Sequence, residues 1–167
     1  MDSLTKQQVG PGKTGAMNAI EQSPEQSPGQ PPAPNALAHL TRVPIAQLSP
    51  DIEELAEKTF LAAVALVWPY SSSTKSVSLL LAEPDFRLRG AKGQIKATFH
   101  GRVAEKVAES HVGIGDTVCL ALKDIKLVSN DGVQQTPGRS VAWDAHWENG
   151  AFLEVCCSQT GYVFSSD

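Results

Sequence analysis

The chain has 167 residues, a formal net charge of −4 and 41% hydrophobic residues, which leaves room for one domain, or one domain and a tail. No apolar run approaches the roughly 18 residues of a membrane span, and the first residues lack the charged-then-apolar order of a signal peptide. The three cysteines, Cys119, Cys156 and Cys157, make neither a disulfide framework nor a C-x-x-C zinc pair, so a soluble protein of a reducing, intracellular compartment is expected.

The first fifty residues are poor in apolar side chains and rich in Gln, Pro, Ser, Gly and Ala. Residues 1–39, with Ser23-Pro24, Gln26-Ser27-Pro28 and Pro31-Pro32-Ala33-Pro34, read as a disordered tether, because they bury too little to offset the entropy of ordering them. Leu40 to Ile45 is an extended lead-in. Pro50-Asp51, with Glu53 and Glu54 following, suits a single helical turn with acids at its N-terminus.

Strand patterns then take over. Phe60 to Trp68 is apolar on both alternating faces, as a central strand would be, and Pro69 with its serine cluster ends it. Lys75 to Leu81 places Val77, Leu79 and Leu81 on one face and Ser76 and Ser78 on the other. Glu83-Pro84-Asp85 is a turn. Ile95, Ala97 and Phe99 alternate with Gln94, Lys96, Thr98 and His100 in a third strand with a polar, basic outer face. A short helix near Val103 to Ser110 has Val103, Ala104, Val107 and Ala108 on its apolar side. Thr117 to Leu122 is a fourth strand, and Ser129 to Gly138 is a polar loop. Val141 to Trp147 and Ala151 to Val155 read as a hairpin about Asn149-Gly150. Three strands, a helix and further strands are the chain order of an OB-fold, so the expected fold is all-β with one short helix: a five-stranded Greek-key OB-fold barrel over residues 40–157, behind the arm and before a tail at 158–167.

Catalytic chemistry finds little support. Gly12-Lys13-Thr14 ends like a phosphate-binding loop, but the first glycine of that motif would fall at Gln7 and no strand precedes it. His39, His100, His111 and His146 are scattered with no pair at metal spacing, and Cys119 lies mid-strand with no cation beside it. No catalytic residue, metal ligand or cofactor is expected.

Binding finds more. Between Ser71 and Arg102 six basic residues (Lys75, Arg87, Arg89, Lys92, Lys96, Arg102) face two acids (Glu83, Asp85), so this segment is positive by four although the chain is acidic. Single strands lie on the second and third strands of an OB-fold, framed by its loops. The first of these loops maps to Tyr70, Ser71, Ser72, Ser73 and Thr74, with Lys75 at its exit. Tyr70 and Phe86 offer stacking plates, Lys75, Arg87, Arg89, Lys92 and Lys96 neutralise phosphates, and Ser71 to Thr74 can read base edges. Trp68 is assigned to the core or to partial exposure, and Trp143 with Trp147 to packing.

Residues 68–74 (Trp-Pro-Tyr-Ser-Ser-Ser-Thr), the run Ser78 to Arg89, the turn Gly113-Ile114-Gly115-Asp116 and Pro137 to Val141 with Trp143 together resemble the fungal branch of the telomeric single-strand-binding OB domain of the protection-of-telomeres family. The resemblance spans roughly Leu40 to Val155, and Ser78 to Arg89 is its specific part. It implies binding of single-stranded telomeric DNA, the G-rich 3′ overhang, in telomere capping and maintenance. The implied location is the nucleus, at the chromosome's telomeric region, with other telomere-capping proteins as partners and no membrane. The family's contact regions fall on Tyr70 to Lys75, on Phe86, Arg87 and Arg89, and on Lys96 and Thr98. Gly90-Ala91 stands where further basic residues would be expected, which thins the patch. The alternatives are an OB-fold protein-interaction module and a general binder of single-stranded DNA or RNA.

Overall fold

A computed structural model of the chain describes residues 36–90, 92–131, 140–156 and 163–164. The expected disordered arm lies almost wholly outside these residues. Among them the strands are β1 (Thr41–Arg42), β2 (Lys58–Ser71), β3 (Ser76–Ala82), β4 (Gln94–His100), β5 (Thr117–Ala121), β6 (Ile125–Ser129), β7 (Trp143–Trp147), β8 (Leu153–Val155) and β9 (Val163–Phe164). One helix, α1 (Gly101–Glu109), follows β4 directly, and single 3-10 turns lie at Ile45–Gln47 and Leu55–Glu57. The expected helical turn near Pro50 thus comes later, after Glu54 has turned the backbone through a left-handed conformation (φ 55°).

All nine strands join one mixed sheet in the order β6-β7-β4-β3-β2-β5-β8-β9, with β1 parallel to the start of β2. The antiparallel meander β2-β3-β4 and the helix after it are where the hydrophobic periodicity places them. The closed five-stranded Greek-key OB barrel is not formed. Its last step needed a hairpin between Val141–Trp147 and Ala151–Val155, and no such hairpin exists. Instead β7 lies parallel to β4 while β8 lies antiparallel to β5, at the far side of the sheet's path. A strand edge can bond only one neighbour. The second edge of β7 is taken by β6, and the second edge of β8 by β9, so among the described residues no ladder joins the two ends. Residues 148–152 carry the chain between them, and the connection is covalent rather than hydrogen-bonded.

The sheet nevertheless surrounds one core. Ala145 and Trp147 of β7, Leu153 and Val155 of β8, and Val103, Ala104 and Val107 of α1 join the same buried cluster as Phe60, Leu79, Ile95, Phe99 and Leu120. The Trp147 ring stacks on Phe99, with centroids 5.1 Å apart and planes 17° from parallel.

The long strand β2 changes phase twice. Its register on β3 shifts between Val64 and Leu66 and again between Trp68 and Ser71. Phe60, Ala62 and Val64 point into the core, Ala65 is the extra, exposed residue, and Val67 and Tyr70 are the next side chains packed on the core. Leu66 and Trp68 are therefore turned to the opposite face. Pro69 sits in the second irregularity, where the ladder does not require its missing N–H.

The 11-residue connection 83–93 between β3 and β4 is closed at its base by a bond from Glu83 N–H to the Gly93 carbonyl (2.8 Å). Gly93 is required there by proximity: a Cβ at this position would collide with the Arg89 backbone. Gly93→Ala is expected to lower stability by about 1–3 kcal/mol, the usual cost of overpacking, and to loosen this loop. Thermal unfolding compared with Gly90→Ala, where a Cβ meets open space, checks it.

Candidate nucleic-acid interface

The register of four strand pairs places one outward residue from each of five strands in a single row. Trp68 on β2 is opposite Ser78 on β3, Ser78 opposite Thr98 on β4, Thr98 level with His146 on β7, and His146 opposite Lys126 on β6. At a strand spacing of about 4.8 Å the row runs roughly 19 Å across the sheet. Its centre is small and polar. The hydroxyls of Ser78 and Thr98 bond each other at 2.9 Å, and Thr98 is buried. Half-buried, larger side chains stand around them: Trp68 on one side and His146 and His100 on the other.

Two cations attend this row. The Lys96 ammonium is 5.2 Å from the centroid of the Trp68 ring, a cation–π contact between β4 and β2. The Lys126 ammonium is 3.6 Å from a Glu148 carboxylate oxygen, with both side chains more than half exposed, a pair that stays open to solvent. Leu80, opposite Leu66 and Lys96, is buried and closes the row on that side. His100 Nε2 and His146 Nδ1 are 3.1 Å apart, with ring centroids 5.4 Å apart and planes 14° from parallel, so the two rings meet edge to edge. Burial first, and then the neighbouring His100, holds the His146 imidazole below its ordinary value. Lys96 acts in the same direction, while Asp144 and Glu148 oppose it.

The residues expected from the sequence are distributed over three places. Lys96 and Thr98 lie in the row. Tyr70 does not: it packs against the core, and its hydroxyl donates to Glu105 of α1 at 3.4 Å. The hydroxyls of Ser71 and Ser73 are 3.0 Å apart, those of Thr74 and Ser76 are 2.7 Å apart, and Ser72, Ser73, Thr74 and Lys75 are exposed. Lys75 takes the left-handed turn position (φ 48°), and its carbonyl receives the Gly101 N–H.

Phe86, Arg87, Arg89 and Lys92 are exposed on the connection 83–93, at the other end of β3. Phe86 is 75% and Leu88 52% exposed, and the Arg87 guanidinium is 6.0 Å from the Phe86 ring centroid. Arg89 Nε donates to the Glu83 carbonyl, which anchors its guanidinium to the loop base. The seven residues of β3 separate the two groups by about 20 Å, so Tyr70–Lys75 and Phe86–Lys92 do not converge on one spot. The second framing loop, Ser129 to Gly138, falls mostly outside the described residues.

Sequence reading left Trp68 between core and partial exposure and named neither His100 nor His146 as a site residue. The outward phase of His100 was legible beside Lys96 and Thr98. Its meeting with His146, 46 residues away, depends on β7 lying along β4.

A family model described as "Domain of unknown function (DUF8502)" matches residues 39–163. No curated protein matches the chain at a significant level. Among solved structures, Pot1pC of Schizosaccharomyces pombe bound to single-stranded DNA aligns at 16% identity and a TM-score of 0.46, over 71% of this chain and 88% of that one. Fission yeast Pot1 with single-stranded DNA aligns at 15% identity and a TM-score of 0.47, over 72% of this chain and 41% of that one. A chain described as an aspartyl-tRNA synthetase from Leishmania major Friedlin aligns at 14% identity and a TM-score of 0.42, over 78% and 22%. These likenesses are too weak to assign a ligand. Among the described residues no helix is long and apolar enough to cross a membrane, and no group of three metal-ligating side chains occurs.

Proposed function

The chain belongs to the family described as a domain of unknown function, DUF8502, whose span takes in β1 through β8, and for this member we propose the binding of single-stranded nucleic acid on the outward face of β2, β3, β4 and β7. The observation that carries the reading is the Trp68 ring with the Lys96 ammonium over it, beside a row of hydroxyl and imidazole groups from adjoining strands. A base stacked on such a ring gains about 1–3 kcal/mol whatever its edge pattern, because every base has a π-face. Cations beside the ring neutralise the phosphates between stacked bases. This chemistry is tolerant of sequence, so a general binder of single strands is the primary reading, acting without catalysis. Arg87, Arg89 and Lys92 extend the cationic surface along the connection 83–93, and Lys75 extends it at the opposite end of β3.

A preference for the G-rich telomeric 3′ overhang is the finer reading. It draws on the resemblance carried by Ser78 to Arg89, the segment that forms β3 and the exposed Phe86–Arg89 turn. A nuclear, telomeric location and telomere-capping partners belong to that finer reading.

An anisotropy titration of the full chain tests both. Labelled oligo-dT, a G-rich telomeric repeat, its complement, a scrambled strand, an RNA strand and a duplex are compared at one salt concentration. Single strands are expected to bind more tightly than duplex, and a G-rich repeat bound tenfold better than its scramble supports the telomeric reading. Absence of binding to every strand overturns the proposal in favour of a protein-docking role for the exposed Phe86 and Leu88.

The salt dependence gives a second check. Each phosphate contact on a single strand contributes about 0.7 to the slope of log K against log salt. Arg87→Ala combined with Arg89→Ala is expected to reduce that slope by about 1.4, and an unchanged slope removes the connection 83–93 from the interface.

A further inference from the structure

We infer that the His100–His146 pair is a proton-dependent phosphate subsite of this same face, which takes a phosphodiester group of the bound strand. The inference rests on the single-strand reading above and adds a ligand group and a mode of regulation to it. Two imidazole nitrogens 3.1 Å apart, each half of a hydrogen bond, must share one proton between them. One ring donates and the other accepts, and the outer nitrogen of each ring remains for solvent or ligand.

The pair can accept one more proton without changing its geometry. That proton goes to the outer nitrogen of the donating ring, which becomes an imidazolium and still donates to its neutral neighbour through a stronger, charge-assisted bond. A second added proton would set two N–H groups against each other and break the pair. The state that gains charge while keeping its structure therefore carries a single positive charge.

The surroundings do not cancel that charge, so it remains for a phosphate. Lys96 approaches from β4, and Lys126 from β6 is the register partner of His146. The opposing charges are Asp144 of β7 and Glu148 just beyond it. On β3 the residue opposite His100 is the uncharged Ser76, and the chain continues past His100 into Gly101 and Arg102 of α1, with Lys75 bonded to Gly101. Lys126 lies 3.6 Å from Glu148 and offsets that acid, which leaves Lys96 against Asp144 beside the pair.

In the free domain, burial first, then His100 and Lys96, hold the His146 pKa below its ordinary value, against Asp144 and Glu148. A phosphate offsets these effects and raises the pKa. Binding then takes up a proton, and by linkage the added affinity is fully present below the free-state pKa and is lost as pH rises through the higher bound-state pKa.

The test uses the full chain and labelled oligo-dT, because neither thymine nor the phosphodiester titrates between pH 5.5 and 8.5. At constant ionic strength the dissociation constant is expected to fall about three- to tenfold from pH 7.5 to pH 5.5, within the roughly hundredfold that one fully coupled proton would give over two pH units. His100→Gln with His146→Gln should reduce that change to less than twofold, while His111→Gln, in the turn before β5, keeps it. An NMR titration of the unaltered chain needs no variant: the His146 midpoint should move up when oligo-dT is bound. Binding with a flat pH profile, a pH effect that survives the double substitution, or an unmoved midpoint overturns the subsite and leaves the face intact. No binding to oligo-dT at any pH overturns the face and the subsite together.

Discussion

Trp147→Ala is expected to cost about 3–5 kcal/mol of folding stability, the range for truncating a large buried aromatic side chain. The ring is fully buried and lies flat on Phe99. It is also the last residue of β7, where the chain leaves one end of the sheet's path for the other. Since no ladder closes the sheet there, packing must hold the ends together, and Trp147 is the largest fully buried side chain. Against a total stability of about 5–15 kcal/mol for a domain, this loss is between about a fifth and the whole of the folding free energy. Trp147→Phe should cost much less than the lost volume suggests, because the indole Nε1 is buried with no hydrogen-bond partner and its removal relieves a desolvation penalty. Urea unfolding of the three proteins decides the matter. A loss below 1 kcal/mol for the alanine variant would mean that the covalent link 148–152 alone holds the ends.

Trp68→Ala is expected to weaken oligo-dT binding by about 1–3 kcal/mol, roughly 5- to 150-fold, through the loss of one stacking plate. Its effect on stability should be small beside that of Trp147, since Trp68 is only half buried and stands outside the core cluster. Trp68→Phe keeps a ring under Lys96 and should restore most of the affinity. Tyr70→Ala is expected to behave in the opposite way: it removes packing on the core and the bond to Glu105, so unfolding shifts more than binding by the folded fraction does. If Tyr70→Ala weakens binding more than Trp68→Ala does at equal folded fraction, the strand runs over the loop 72–75 instead of the row.

The positions these two rings take show where sequence reading stops. From Phe60 to Trp68 every residue is apolar, so nothing marks which are inward. Strict alternation from Phe60 would send Trp68 to the core and Pro69 outward. The extra residue at Ala65 reverses that phase, turning Trp68 out beside Lys96 and, after the second irregularity, Tyr70 in toward α1. A bulge of one residue is set by how β2 must bend between β3 and β5, and no local composition announces it. Segments with polar alternation were free of this ambiguity. Ser76 and Ser78 against Val77 and Leu79, or Lys96 and Thr98 against Ile95 and Ala97, can face only one way without burying a polar side chain unpaired.

Two strands went unread for a related reason. β6 alternates Ile125 and Leu127 with Lys126, but it is five residues long and continues straight into a polar loop. β9 is a two-residue strand whose pairing exists only because β8 offers it an edge. The Asn149-Gly150 pair invited a hairpin on local grounds. Its flanking segments found better partners in β4 and β5, and each buries apolar side chains in the shared core there.

Taken alone, the chain of residues determined the meander β2-β3-β4, the amphipathic helix after it, the outward placement of Lys96, Thr98 and His100, and the cationic character of the stretch from Lys75 to Arg102. These follow from side-chain periodicity and charge, which act over a few residues. The open sheet, the outward turn of Trp68, and the meeting of His100 with His146 were decided by the tertiary structure. Each depends on which strand edge a distant segment occupies, and that choice is made by competition for backbone hydrogen bonds and core volume across the whole domain.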